Sequence, residues 1–141
     1  MFDQVLFLVL LASGAWMTAI SWFVGSVHYP GFRSVAPAEW DDYHVRHTQG
    51  IGPIVALPMI AQVVATALLC LDPEVDSTLK AGVLLCAAFS IGWTGLISGP
   101  LHMNLKQDPP DRLNRLISTN WVRTLAWAIL TALSGFALLT S

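Results

Sequence analysis

The chain has 141 residues, of which 55% are hydrophobic and 11% charged, with a formal net charge of -2. A soluble domain carries about 25% charged residues, so this composition cannot clothe a water-facing surface, and the mean hydropathy of +0.61 points to lipid as the solvent. The slight negative charge excludes nucleic acid as a partner, and Cys70 and Cys86, without metal-knuckle spacing and at different expected depths, read as two small apolar residues and not as a disulfide.

A helix needs about 20 apolar residues to cross hydrocarbon, and four segments qualify, which predicts an all-α membrane protein forming one four-helix domain. The first covers about residues 2–27. Asp3 is its only charge and it has no basic flank, so it reads as a retained helix and not a secretory signal. The stretch 28–50 is amphipathic, and Pro37 suits a first helical turn, so the second helix is expected to begin before it enters the membrane. Gly50, Gly52 and Pro53 are expected to kink it. The second span covers about residues 51–71. An acidic turn follows, in which Pro73 stops one helix and Ser77 is the expected cap of the next. The third span covers about residues 79–101. Pro109-Pro110 then breaks the chain, Asp111 is the expected cap of the next helix, and the fourth span covers about residues 118–139.

Short connections force an up-down-up-down bundle. Arg33, Arg46, Lys106, Arg112, Arg115 and Arg123 then belong to one end and only Lys80 to the other. The positive-inside rule makes the six-residue end cytoplasmic, which puts both termini outside the cell's inner (cytoplasmic) membrane. Gly95 and Gly99 form a GxxxG pair expected to bring helices close, as do Ser21 with Gly25, Ala61 with Ala65, and Thr131 with Gly135. Trp16, Trp22 and Trp93 read as packing residues, and Trp40 and Trp121 as interfacial anchors.

The same topology gathers the polar residues at the cytoplasmic end. His28 closes the first span, His44 and His47 precede the second, and His102 closes the third. Asn120, Arg123, Thr124 and Trp127 fall on one helical face about 100° wide. A charge at that depth should turn inward and pair; Asp41, Asp42 and Asp108 are the candidate carboxylates. Asp41, His44 and His47 follow an i, i+3 spacing of the kind that bundle metal sites use. Imidazole suits copper, iron and zinc, and two histidines from different helices also suit haem. On this reading His44, His47 and His102 hold a transition metal or a haem iron, His28 is a further cofactor contact, and Arg123 and Asn120 steady an oxyanion or bound oxygen. Gln62 lies fifteen residues past His47, about 22 Å away, and is expected to bond across helices or to line a cavity. Pro100 is expected to unwind the turn before His102.

Tyr29-Pro30, Tyr43-His44-x-x-His47, Pro58-Met59, Pro100-Leu101-His102 and Asn120-Trp121-x-Arg123-Thr124 with Trp127 stand in an order that resembles the anthrone oxygenase-like family of small four-helix bacterial membrane proteins. The resemblance runs over nearly the whole chain. It implies an oxygenase related to those that oxidise polyketide anthrones, with His44, His47, His102, Asn120 and Arg123 as the functional positions. Gln62 stands where members often carry a glutamate. Three functions follow from the residues and the resemblance together. The first is a metal- or haem-dependent oxygenase or oxidoreductase for a small aromatic or quinone-like substrate. The second is an accessory subunit of a larger membrane complex, or a homo-oligomer. The third is a carrier with Gln62 at its midpoint.

Overall fold

The computed structural model describes residues 2–106 and 111–140. Among the described residues all regular structure is helical, and four helices are long and apolar enough to cross a membrane: α1 (Phe2–Ser34), α2 (Pro37–Leu71), α3 (Ser77–Met103) and α4 (Asp111–Thr140). All four expected spans lie inside these helices, and each helix runs further than its apolar run. Pro37 opens α2 in a 3-10 turn and the α-helix continues from Trp40 to Leu71, with Pro53 and Pro58 inside it. The cap of α3 is Asp76 and not Ser77: its carboxylate accepts from the backbone N–H of Thr78 at 2.9 Å and of Leu79 at 3.0 Å, and Ser77 is already helical. Helix α4 begins at Asp111; the Pro109-Pro110 break expected before it lies outside the described residues.

Two helices change pitch near their C-terminal ends. A π turn occupies Val24–His28 in α1 and another occupies Thr94–Ser98 in α3. Each contains a glycine at its second residue and precedes a proline five residues after that glycine, Gly25 with Pro30 and Gly95 with Pro100. Proline lacks an N–H, and its ring collides with the carbonyl four residues back. Widening the turn before it shifts that carbonyl aside, and the residue preceding the proline bonds five residues back: Tyr29 to the Val24 carbonyl, Gly99 to the Thr94 carbonyl. The chain therefore stays helical through both prolines, where unwinding was expected at Pro100.

Helix α1 packs on α2 and α4, and α3 packs on the same two. One apolar cluster joins Leu6, Leu10, Leu69, Val83 and Leu130; a second joins Val24, Phe32, Trp40, Leu105 and Leu116. Close approach is concentrated between α1 and α4. A methyl group at Gly14 would meet Thr131 Oγ1 at 2.7 Å, and one at Gly25 would meet Asn120 Nδ2 at 2.5 Å. The Ser21–Gly25 and Thr131–Gly135 pairs thus serve helix contact as expected. The Gly95–Gly99 pair does not. A methyl at Gly95 would touch nothing within 4 Å, and one at Gly99 would meet only the Thr94 carbonyl of its own helix, so this pair belongs to the π turn.

The tryptophans also depart from expectation. Trp16 and Trp22 are 52% and 60% exposed, whereas Trp40 is 7% exposed and stacks on His44. Trp16 has a specific task nonetheless. Pro58 supplies no N–H to the Ile54 carbonyl, and the Trp16 indole donates to that oxygen at 3.1 Å. Both cysteines are free. Leu57, Leu85, Leu96 and Leu139 on the outer faces are strongly exposed, so the exterior is apolar.

Candidate functional site

The four histidines meet. His28 Nε2 lies 2.8 Å from His47 Nδ1, and His47 Nε2 lies 2.8 Å from His102 Nε2. His44 Nε2 is buried without a hydrogen-bond partner, and its ring centroid is 5.2 Å from that of His102. Three helices contribute; one π turn ends at Ser98, four residues before His102, and the other ends at His28. Phe32 packs edge-on against both His28 and His47, 5.0 and 5.2 Å from their centroids, holding the first two rings in register.

The connectivity has a chemical consequence. A neutral imidazole has one N–H and one lone pair. His47 uses both ring nitrogens on other histidines, so it must accept from one neighbour and donate to the other. The chain then has two neutral states, protons pointing from His28 toward His102 or the reverse; the two hops across the 2.8 Å gaps carry one net proton from end to end, and the reversed neutral state is reached when one outer Nδ1 takes up a proton and the other releases one. Such a chain is chemically able to pass a proton from one end to the other.

The arrangement does not fit the metal centre expected at His44, His47 and His102. Imidazoles sharing one tetrahedral ion at about 2.0–2.1 Å hold their nitrogens about 3.3 Å apart; here the nitrogens are closer and face one another across protons. Among the described residues no group of three or more histidine, cysteine, aspartate or glutamate side chains is arranged to hold a metal ion. For haem, His28 Nε2, both His47 nitrogens and His102 Nε2 are likewise committed to one another. Asp41, proposed beside His44, is exposed to solvent.

Helix α4 supplies the second half of the site. Arg123 is 8% exposed. Its Nε and Nη2 both donate to Asn120 Oδ1, at 3.0 and 2.8 Å, and its guanidinium carbon lies 5.6 Å from the Trp127 ring centre. The Tyr29 hydroxyl interacts with it as well. The inward turn was expected; among the described residues no carboxylate meets the guanidinium. Asp41 and Asp42 are exposed and are not among its contacts, and Asp108 lies outside the described residues. Asn120 is fixed in turn: Nδ2 donates to the Ser21 carbonyl at 2.9 Å, Oδ1 accepts from Ser21 Oγ at 3.2 Å, and Ser21 Oγ lies 2.6 Å from Thr124 Oγ1. Asparagine presents both a donor and an acceptor, which lets one side chain hold α1 and Arg123 together.

Gln62 is fully buried and accepts from the Trp127 indole at 3.2 Å, the interhelical bond expected of it, while its Nε2 has no partner.

Comparison with known proteins returns no match: no family model, curated protein or solved structure is recognisably similar.

A cavity of about 560 Å³ connects the two halves. His102, Arg123, Tyr29, Thr48 and Ser98 line its polar end, and Met17, Val55, Met59 and Trp127 are among its apolar walls. Its outer edge is formed by Ile60, Val63 and Val64 of α2 and Met103 of α3, all well exposed, so it opens sideways between α2 and α3. His28 lies outside the cavity, and the relay thus leads from the cavity wall at His102 to a half-buried ring beyond it. The sequence had not singled out Ser98, although it stands four residues before His102, one helical turn away on the same face.

Proposed function

We propose that this chain is a multi-pass protein of the bacterial inner membrane, its helices alternating in direction with both termini outside. We further propose that it is an oxygenase-type oxidoreductase for a small aromatic or quinone-like molecule that enters from lipid. The observation that carries the reading is the histidine relay ending on an apolar, sideways-open cavity. An apolar cavity with a few convergent polar groups is the usual form of a small-molecule site, and a relay is what a proton-abstracting enzyme needs in a dry interior. The exposed leucines and the basic end support the membrane placement.

In this reading His102 takes a proton from an activated C–H of the bound substrate, such as the methylene of an anthrone. The proton passes through His47 to His28. Dioxygen is the oxidant: it adds at the deprotonated carbon, the adduct recovers a proton, and loss of water leaves a carbonyl. The carbon is oxidised, one oxygen atom is retained, and the two hydrogens leave with the other. Arg123 faces the charge that develops on the substrate oxygen.

Oxygen uptake by detergent-purified protein with anthrone as substrate tests this. We expect uptake above the protein-free rate, a loss of about 100-fold or more in His102→Gln, and a smaller loss in His47→Gln. Wild-type rates in both variants, with helicity and elution unchanged, would remove the relay from the chemistry.

A further inference from the structure

Resting on that reading of the cavity, we propose that the occupant is an anion: a compact apolar body bearing a single oxyanion group, a carboxylate or an acidic phenol or enol, whose charge pairs with Arg123. Arginine stays protonated in proteins, and a buried charge is costly unless it is paired. Arg123 is more than nine-tenths buried, and its contacts among the described residues are all formally neutral: the Asn120 amide, the Tyr29 phenol and the Trp127 ring.

Geometry adds direction. Asn120 Oδ1 occupies the Nε and Nη2 donors and the Tyr29 hydroxyl meets the same guanidinium; the remaining N–H donors belong to the Nη1–Nη2 edge, a fork that matches carboxylate geometry. Arg123 lines the cavity, so a negative group lodged there completes it. Ser98 adds an independent sign. Its hydroxyl is buried without a partner, and it lines the same cavity one turn from His102. A free hydroxyl, the Arg123 guanidinium with its neutral Tyr29 partner, and His102 therefore surround one polar end, and the walls beyond are apolar. The compensation is also local: Asn120 fixes the guanidinium without neutralising it, so the positive charge is retained for the ligand.

The test compares two probes with the same ring system, anthracene-9-carboxylate and 9-anthracenemethanol, titrated by anthracene fluorescence into wild-type protein in dodecyl maltoside. The carboxylate should bind about 10-fold or more tightly than the alcohol, the value of one charge-assisted contact in a dry site. In Arg123→Met the preference should vanish with alcohol binding retained, and Arg123→Lys should keep part of it. Equal affinity of the two probes for wild-type protein overturns the anion assignment while leaving the cavity reading intact, and binding of neither probe overturns both. Because the first comparison uses only wild-type protein, misfolding of a variant does not block it. Dihexanoyl phosphatidylglycerol serves as competitor: displacement of the carboxylate at equal concentration would assign the fork to lipid phosphate and overturn the proposal.

Discussion

Gly25 and Gly95 occupy the same place in two π turns of the same design, which makes them a matched pair. A methyl at Gly25 would sit 2.5 Å from Asn120 Nδ2, and one at Gly95 would meet nothing within 4 Å. Relieving the first contact to an ordinary one requires a shift of about 1 Å, which stretches the 2.9 Å bond from Asn120 Nδ2 to the Ser21 carbonyl past hydrogen-bonding range. Overpacking of this kind costs about 1–3 kcal/mol, and an interhelical hydrogen bond in a membrane protein averages about 0.6 kcal/mol. Replacing glycine by alanine in a helix returns about 0.8–1 kcal/mol. Gly25→Ala should therefore destabilise the protein by about 1–3 kcal/mol, while Gly95→Ala should leave it unchanged or stabilise it by up to about 1 kcal/mol. Denaturant titration in detergent micelles, followed by circular dichroism, measures both. Midpoints for the two variants that agree to within about 0.5 kcal/mol would refute the claim that α1 and α4 are closed against each other at Gly25.

Three further outcomes follow from the buried polar groups. Trp127→Phe alone should cost about 1 kcal/mol by stranding Gln62 Oε1, whereas Trp127→Phe with Gln62→Leu should cost less than the sum of the singles, since no polar atom is then left unpaired; additive singles in a double-mutant cycle would argue against the bond. Asn120→Asp should abolish the roughly 10-fold preference for an anionic probe, because the new carboxylate neutralises Arg123 from within; an undiminished preference would mean that the ligand does not meet that charge. Pro58→Ala gives the Ile54 carbonyl a backbone donor, so the Trp16 indole should be released and the emission spectrum of the protein should change; a spectrum identical to wild type would mean that Trp16 does not depend on the missing N–H.

What was legible in the sequence was whatever hydropathy and helix periodicity encode. Four apolar runs gave four helices, and the shared inward face of Asn120, Arg123, Thr124 and Trp127 followed from a 100° step per residue. The convergence of His28, His47 and His102 followed once neighbouring helices were taken to alternate. Partner choice was not legible. The expectation that Arg123 meets a carboxylate used only charge; Asp41 and Asp42 do not meet it, Asp108 lies outside the described residues, and the structure gives it the amide of Asn120, three residues earlier on the same helix. Spacing identified His44 and His47 as neighbours but did not specify which nitrogens face which, and that detail separates a relay from a ligand set. The exposure of Trp16 and Trp22, which still contact Ile54 and Trp121, and the burial of Trp40 were not legible, because burial of an aromatic depends on which side of its helix the neighbours lie, and one sequence states no neighbours.

The two π turns explain how one bundle is both closed and open. Seventy residues apart, Gly25 with Pro30 and Gly95 with Pro100 produce the same local pitch change in α1 and α3. Their surroundings differ. At Gly25 the absent side chain admits Asn120, which bonds to Ser21 and fixes Arg123, so the α1–α4 side is shut and holds the charge in place. At Gly95 no neighbour fills the corresponding space, and the same turn contributes Thr94 and Ser98 to the lining of the cavity that opens between α2 and α3. A rigid wall that presents a cation and an opposite seam loose enough to admit a molecule are both needed by a site that takes its ligand from the side. Enlarging Gly95, for example to Leu, should therefore cost little stability, whereas any enlargement at Gly25 should reduce both stability and probe binding. Measured on the same preparations by anthracene fluorescence and denaturant titration, a stability loss in Gly95→Leu equal to that of Gly25→Leu would show that the two turns are packed alike and that this division of labour does not exist.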